Sequence, residues 1–157
     1  MRWLLALLVV ALPSIAGALS CRAPNAARSL DQAMQSGVPV RAVAGELRRT
    51  AASPETRTGT YHLKGTELSR GGWLSEFAEE IRVEARCVAS WCAELPGAQT
   101  QGLFLLTIGQ SGAPLLRIGP CGGTVFPLPD GVGREALQRC ARTGRCSAED
   151  IRLFEPR

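Results

Sequence analysis

The chain has 157 residues, 45% of them hydrophobic and 20% charged, with 18 Lys+Arg against 14 Asp+Glu, six cysteines and a single His. That length suits one domain, and the composition is that of a globular protein rather than a disordered one. One His excludes sites built from several imidazoles, and no Gly-x-x-x-x-Gly-Lys-Ser/Thr or Gly-x-Gly-x-x-Gly run is present to cradle a nucleotide.

Met1-Arg2 opens the chain with a positive charge, and Trp3 to Leu12 is an unbroken apolar run. Ten helical residues rise about 15 Å, half a bilayer core, which is too short for a membrane span. Ala16-Gly17-Ala18 then supplies the small-x-small pattern at which signal peptides are cut. Residues 1–18 therefore read as a secretory signal cleaved after Ala18, and residues 19–157 as one exported domain, periplasmic or secreted. Gly17-Ala18-Leu19-Ser20-Cys21 also fits a permissive lipobox, the alternative in which Cys21 is acylated and the protein is a membrane-anchored lipoprotein. Lipidation would leave five thiols, an odd number in an oxidising compartment.

The mature segment carries a net charge of +3, with sixteen Arg and only Lys64 as lysine. These bases alternate with acids, as in Glu79-Glu80-Ile81-Arg82-Val83-Glu84, and form no continuous stripe, so nucleic acid is not an expected partner.

Export places Cys21, Cys87, Cys92, Cys121, Cys140 and Cys146 where disulfides persist. Six cysteines allow fifteen connectivities, and sequence does not choose among them. Short spacings favour Cys87 with Cys92 and Cys140 with Cys146, leaving Cys21 for Cys121. Zinc binding is disfavoured, because both spacings are wider than Cys-x2-Cys and no His lies near either pair. No metal and no cofactor are expected.

In chain order, Asn25 caps a helix over 26–35 with Gly37 as its stop. Residues 38–47 read as a strand, 48–59 as an exposed loop and 61–69 as a strand whose interior Gly65 marks a bulge or a sharp coil. After the turn at Arg70-Gly71-Gly72-Trp73, residues 74–80 read as a link. Residues 81–86 are the cleanest alternation in the chain, and 94–102 form a polar link. Leu103 to Ile108 suits a central strand, joined through Gly109-Gln110-Ser111-Gly112 to a partner at 115–118. An irregular exit over 120–127 precedes a helix over 132–141 ended by Gly144. Ser147 and Asp150 form a capping box for a last helical turn. The fold class is mainly β with peripheral helices: a small five-stranded barrel of the oligonucleotide/oligosaccharide-binding (OB) type, disulfide-stapled, with an N-terminal helix and a C-terminal helical tail.

Cys21, the helix, Val38-Pro39-Val40-Arg41-Ala42-Val43-Ala44-Gly45, Tyr61-His62-Leu63-Lys64-Gly65, Cys92, and Leu103-Phe104-Leu105-Leu106 through Leu115-Leu116-Arg117-Ile118-Gly119-Pro120-Cys121 lie in the order of one known module. Over residues 21–128 the layout resembles the netrin-like module, the barrel of the tissue inhibitors of metalloproteinases. The resemblance implies an OB-type barrel and, if the mature chain begins at Cys21, a terminal amine able to reach a protease zinc. The inhibitors' Cys-x-Cys doublet and C-terminal domain are missing here.

No catalytic site is expected. His62 lies on a strand facing away from Tyr61 and Leu63. Gly109-Gln110-Ser111-Gly112-Ala113 lacks the last glycine of a nucleophile elbow and sits in a hairpin turn. Glu79, Glu80 and Glu84 read as a solvated face, and Gly122-Gly123 as a turn out of the barrel. Cys87-x4-Cys92 could exchange disulfides but lacks the Cys-x-x-Cys spacing. Trp73 and Trp91, both read as lying in turns rather than strands, are the candidate partner-binding residues, with burial in the core as the competing role. The expected function is a non-enzymatic binding module of the cell envelope for a protein or glycan. The alternatives are a metalloprotease inhibitor and a thiol-disulfide participant.

Overall fold

A computed structural model describes residues 21–53, 55–109 and 111–156; the segment expected as a signal, and the cleavage point expected after Ala18, lie outside them. Within the described residues the order is α1 (Ala26–Gln35), β1 (Val40–Ser53), β2 (Thr58–Ser69), β3 (Gly72–Ala85), β4 (Cys87–Val88), β5 (Trp91–Cys92), β6 (Gln99–Ile108), β7 (Pro114–Ile118), β8 (Val125–Phe126), α2 (Gly131–Thr143) and α3 (Ala148–Arg152). The fold is mainly β with short peripheral helices.

Strands β1, β2 and β3 form an antiparallel meander, β3 pairs in parallel with β7, β7 pairs with β6, and β6 returns to β1. This circuit of five strands is the OB-type arrangement. It does not close as a regular barrel. Strand β7 keeps only two residue pairs with β6, Thr107↔Leu115 and Ile108↔Pro114, before crossing to β3. Strand β8 takes the vacated edge of β6 through Leu103↔Phe126 and Phe104↔Val125.

A row of glycines, Gly102 on β6, Gly45 on β1 and Gly65 on β2, lies in register across three strands. With no Cβ in the row, the strands approach closely enough for the sheet to coil. This is the role expected of Gly65, extended to two further positions.

Side-chain alternation divides the apolar residues between two layers. Val43, Leu47, Tyr61, Leu63, Phe77, Ile81, Val83, Phe104, Leu106 and Leu116 fill the interior. Ala42, Ala44, Leu103 and Leu105 point outward beneath α1 and α2, against Ala27, Leu30 and Leu137. Strand β6 is covered on both faces, which explains the unbroken run Leu103-Phe104-Leu105-Leu106.

Three sequence expectations are corrected. The segment expected as the loop 48–59 is largely strand: β1 runs to Ser53 and β2 starts at Thr58, pairing past a bulge between Arg49 and Ala51. Its polar residues are exposed, so backbone pairing rather than burial holds it in the sheet. The link expected at 74–80 belongs to β3, paired with β2 from Ser75 onward past a bulge at Leu74; Glu79 occupies an inward-facing position there, between Phe77 and Ile81, and masks the alternation. The polar link at 94–102 ends early, because β6 starts at Gln99.

The helices match their capping signals. The Asn25 side chain accepts from Arg28 N, Asp130 caps α2 through Gly133 N, and Gly144 closes α2 at φ 74°. Ser147 and Asp150 form the reciprocal capping box of α3. The disulfides are Cys21–Cys121, Cys87–Cys92 and Cys140–Cys146, with no free cysteine among the described residues.

Candidate functional site

The inward-facing alternation puts an arginine at each end of the barrel. At one end Arg41 donates through Nε and Nη2 to the two carboxylate oxygens of Glu67 (2.8 and 2.7 Å) and through Nη1 to Glu79 (3.2 Å). Its guanidinium lies 4.6 Å from the centre of the Phe77 ring. The Glu67 hydrogen bonds raise the Arg41 pKa further, against the opposing effect of burial, and Glu79 adds to the rise. This group is a plug. Glu79, expected on a solvated face, is instead committed to it, while Glu80 points to the opposite face of β3.

At the other end Arg49 donates from Nε to the Tyr61 hydroxyl (3.0 Å) and from Nη2 to the Pro96 carbonyl, to which Tyr61 also donates (2.9 Å). The Tyr61 residue is fully buried, so its hydroxyl is a fixed anchor. Here the chain leaves β3, turns through the β4–β5 hairpin and returns along Ala93 to Pro96. Backbone bonds Ala85 N to Arg57 O, Arg86 N to Ile118 O and Ala93 N to Arg86 O tie the hairpin base to the β1–β2 turn and to β7. Arg82, Arg86 and Arg117 surround Glu84 at 3.3, 3.4 and 3.6 Å.

The hairpin itself is short and clamped. Cys87 pairs with Cys92 in the ladder and through the disulfide, and Val88 pairs with Trp91. The residue after Val88, Ala89, adopts φ 53° to make the turn. Trp91 is 57% exposed and Val88 49% exposed, side by side on a two-residue face that the fold leaves uncovered. A small sheet locked by a disulfide holds an indole in solvent at low entropic cost on binding.

Trp73 is placed differently. It starts β3, packs on the outer core layer, and donates from Nε1 to the Arg134 carbonyl of α2 (3.0 Å), with the Arg134 guanidinium 5.2 Å from its ring centre. The two tryptophans therefore stand at opposite ends of β3, and the structure does not bring them together.

Elsewhere, His62 is exposed between Tyr61 and Leu63, near Glu46, Arg48 and Lys64. Ser111 lies in the β6–β7 turn, and Gly122 and Gly123 adopt φ 71° and 97° in the segment that turns out of the sheet. Cys140 and Cys146 are buried against α1, where Cys146 N donates to Asp31 (2.8 Å). An apolar groove of about 620 Å³ runs between Pro24, Leu128, Val132 and Leu153. Among the described residues no cluster of three metal-ligating side chains forms and no helix is long and apolar enough to cross a membrane.

The Arg49–Tyr61–Pro96 junction was not visible in the sequence, because its parts come from β1, β2 and the stretch before β6. The single buried Tyr was the available signal: a buried hydroxyl needs a partner. Comparison with protein-family models, curated proteins and solved structures finds no match to this chain.

Proposed function

We propose that the chain is an exported, non-enzymatic, disulfide-stapled binding module of the cell envelope, netrin-like in kind, that engages a protein partner. The observation that carries this reading is the exposed Val88–Trp91 pair on the Cys87–Cys92 hairpin, beside a surface where Arg57, Arg82, Arg86 and Arg117 outnumber Glu84 and Glu94. Tryptophan and arginine are the residues over-represented at the energetic centres of protein interfaces. The excess of guanidinium favours a partner whose facing surface is acidic. Export is supported by the three disulfides and by the signal-like start of the chain. The Cys21 sulfur is bonded to Cys121, which uses the atom that lipidation would need.

The test is site-specific photocrosslinking in the native host, with the photoreactive residue at position 91 and, as control, at Leu74, which is 80% exposed on β3. A discrete adduct from position 91 and none from position 74 is the expected result. Equal adducts from both positions, or none from either, would overturn the reading.

A second reading is protease inhibition. It draws on the exposed Cys21, which the Cys121 disulfide anchors to the segment leaving β7. It requires a mature chain that begins at Cys21. N-terminal sequencing of the secreted protein, followed by titration of a zinc protease, decides it: a start at Leu19, or undiminished protease activity, removes this reading.

A further inference from the structure

Beside the Arg49–Tyr61 junction lies a cavity of about 250 Å³, large enough for one amino-acid residue. Its more buried lining is apolar, from Ala85, Ala93 and Leu95, and its exposed lining carries Arg49, Arg57 and one carboxylate, Glu94. The lining charge is therefore positive by one.

The two arginines are prepared in different ways. Arg49 is fixed before any ligand arrives: its amide donates to Ala98 O (2.9 Å), its Nε to the buried Tyr61 hydroxyl, and its Nη2 to Pro96 O. Its Nη1 has no protein partner among the described residues. Arg57 makes no ion pair among the described residues, and its backbone is held at φ 51° while its carbonyl accepts from Ala85 N. That left-handed conformation suits glycine or asparagine, so an arginine there carries a backbone cost, and its side chain lines the cavity.

We propose that this cavity binds a carboxylate that carries a small aliphatic group, the chemistry of a peptide C-terminus ending in alanine or valine. Two guanidinium groups supply charge-assisted donors suited to a carboxylate, and the three apolar residues accept the aliphatic side chain. Glu94 disfavours a dianion such as phosphate. The inference rests on the reading of the chain as a binding module and gives one part of its surface a ligand chemistry.

The experiment titrates the purified, disulfide-bonded protein with N-acetyl-alanyl-valine, and separately with the same dipeptide as its carboxamide, followed by amide chemical shifts. The expected result is saturable shifts at residues 49–53, 55–58, 85 and 93–95 for the acid, with the carboxamide at least about tenfold weaker. Arg57→Gln is expected to weaken the acid about tenfold with its melting temperature unchanged. Arg57→Gly is expected to abolish the preference for the acid while melting no lower than the parent, which a purely structural arginine would not do. Equal binding of acid and carboxamide, absence of saturable shifts, or an Arg57→Gln variant that binds like the parent would each overturn the proposal. Failure here leaves the Val88–Trp91 surface standing, because crosslinking at position 91 does not depend on this cavity.

Discussion

Gly45 of β1 and Gly65 of β2 face each other in register, and neither has room for a methyl group. A Cβ on Gly45 would overlap the Lys64 carbonyl oxygen, and one on Gly65 the Ala44 carbonyl oxygen. Both obstacles are backbone, which cannot swing away like a flexible side chain. Gly45→Ala and Gly65→Ala should each cost about 3 kcal/mol or prevent folding, since small-to-large changes against fixed neighbours are among the costlier substitutions. Denaturant unfolding of the oxidised protein measures this, and a loss below about 0.5 kcal/mol would show that the sheet is less tightly coiled.

The tryptophans should separate cleanly. Trp73→Ala removes the bond to Arg134 O and a half-buried indole from the outer layer, and should cost about 2 kcal/mol. Trp91→Ala removes an exposed ring and should change stability by less than about 0.5 kcal/mol. Melting of the two single variants checks both. A large loss from Trp91→Ala would make that ring structural and weaken its role as an anchor.

Asp150 ties stability to acid pH. Burial pushes its carboxyl up, but the Ser147 hydroxyl and amide and the Arg139 guanidinium outweigh burial and hold it below the usual carboxylate range. A carboxyl whose folded pKa is depressed stabilises the fold above its unfolded pKa, about 4, and that contribution is lost as pH falls through the folded value. Asp150→Ala should cost about 1 kcal/mol near neutrality, the size of a lost helix cap. The gap between variant and parent should narrow below about pH 4. Unfolding measured from about pH 2 to about pH 7 would show a constant gap if the carboxylate form were not the stabilising one.

Disulfide reactivity should follow access. Cys87 is exposed on the hairpin, whereas Cys140 is fully buried and Cys146 nearly so. Graded reduction with a small dithiol, then alkylation and peptide mass mapping, should label Cys87 and Cys92 first and Cys140 and Cys146 last. The reverse order would remove the hairpin as the most accessible redox centre.

Much of the fold was legible where a local rule had a local cause. Asn25, Gly144 and the Ser147–Asp150 box mark helix ends through contacts within a few residues, and 81–85 alternates because one face is interior and the other solvent. The misreadings share a different cause. Residues 48–53 and 74–80 are strands held by their neighbours' backbones, with polar side chains that carry no apolar period. At 79 an inward position is charged because Arg41, 38 residues earlier, meets it at the barrel end. The candidate site was less legible still. Trp91 was identifiable as a candidate, although it lies in β5, paired with Val88, and Trp73 in β3, rather than in the turns expected for them; the cavity at Arg49, Arg57, Ala85 and Leu95 exists only once β1, β3 and the stretch before β6 are side by side.

The Cys21–Cys121 bridge has a consequence for the chain when it is not folded. It joins residues 100 apart, at the start of the described chain and just past β7, so it encloses every strand of the five-stranded circuit and leaves α2 and α3 outside. An oxidised chain that loses its structure is therefore a closed ring with a free tail, never an open string. In the chain-entropy account a ring of that size lowers the freedom of the unfolded ensemble by roughly 5 kcal/mol at room temperature. Each unfolding event of the oxidised chain therefore leaves the five strands on one closed loop, from which the sheet re-forms with less chain entropy to lose.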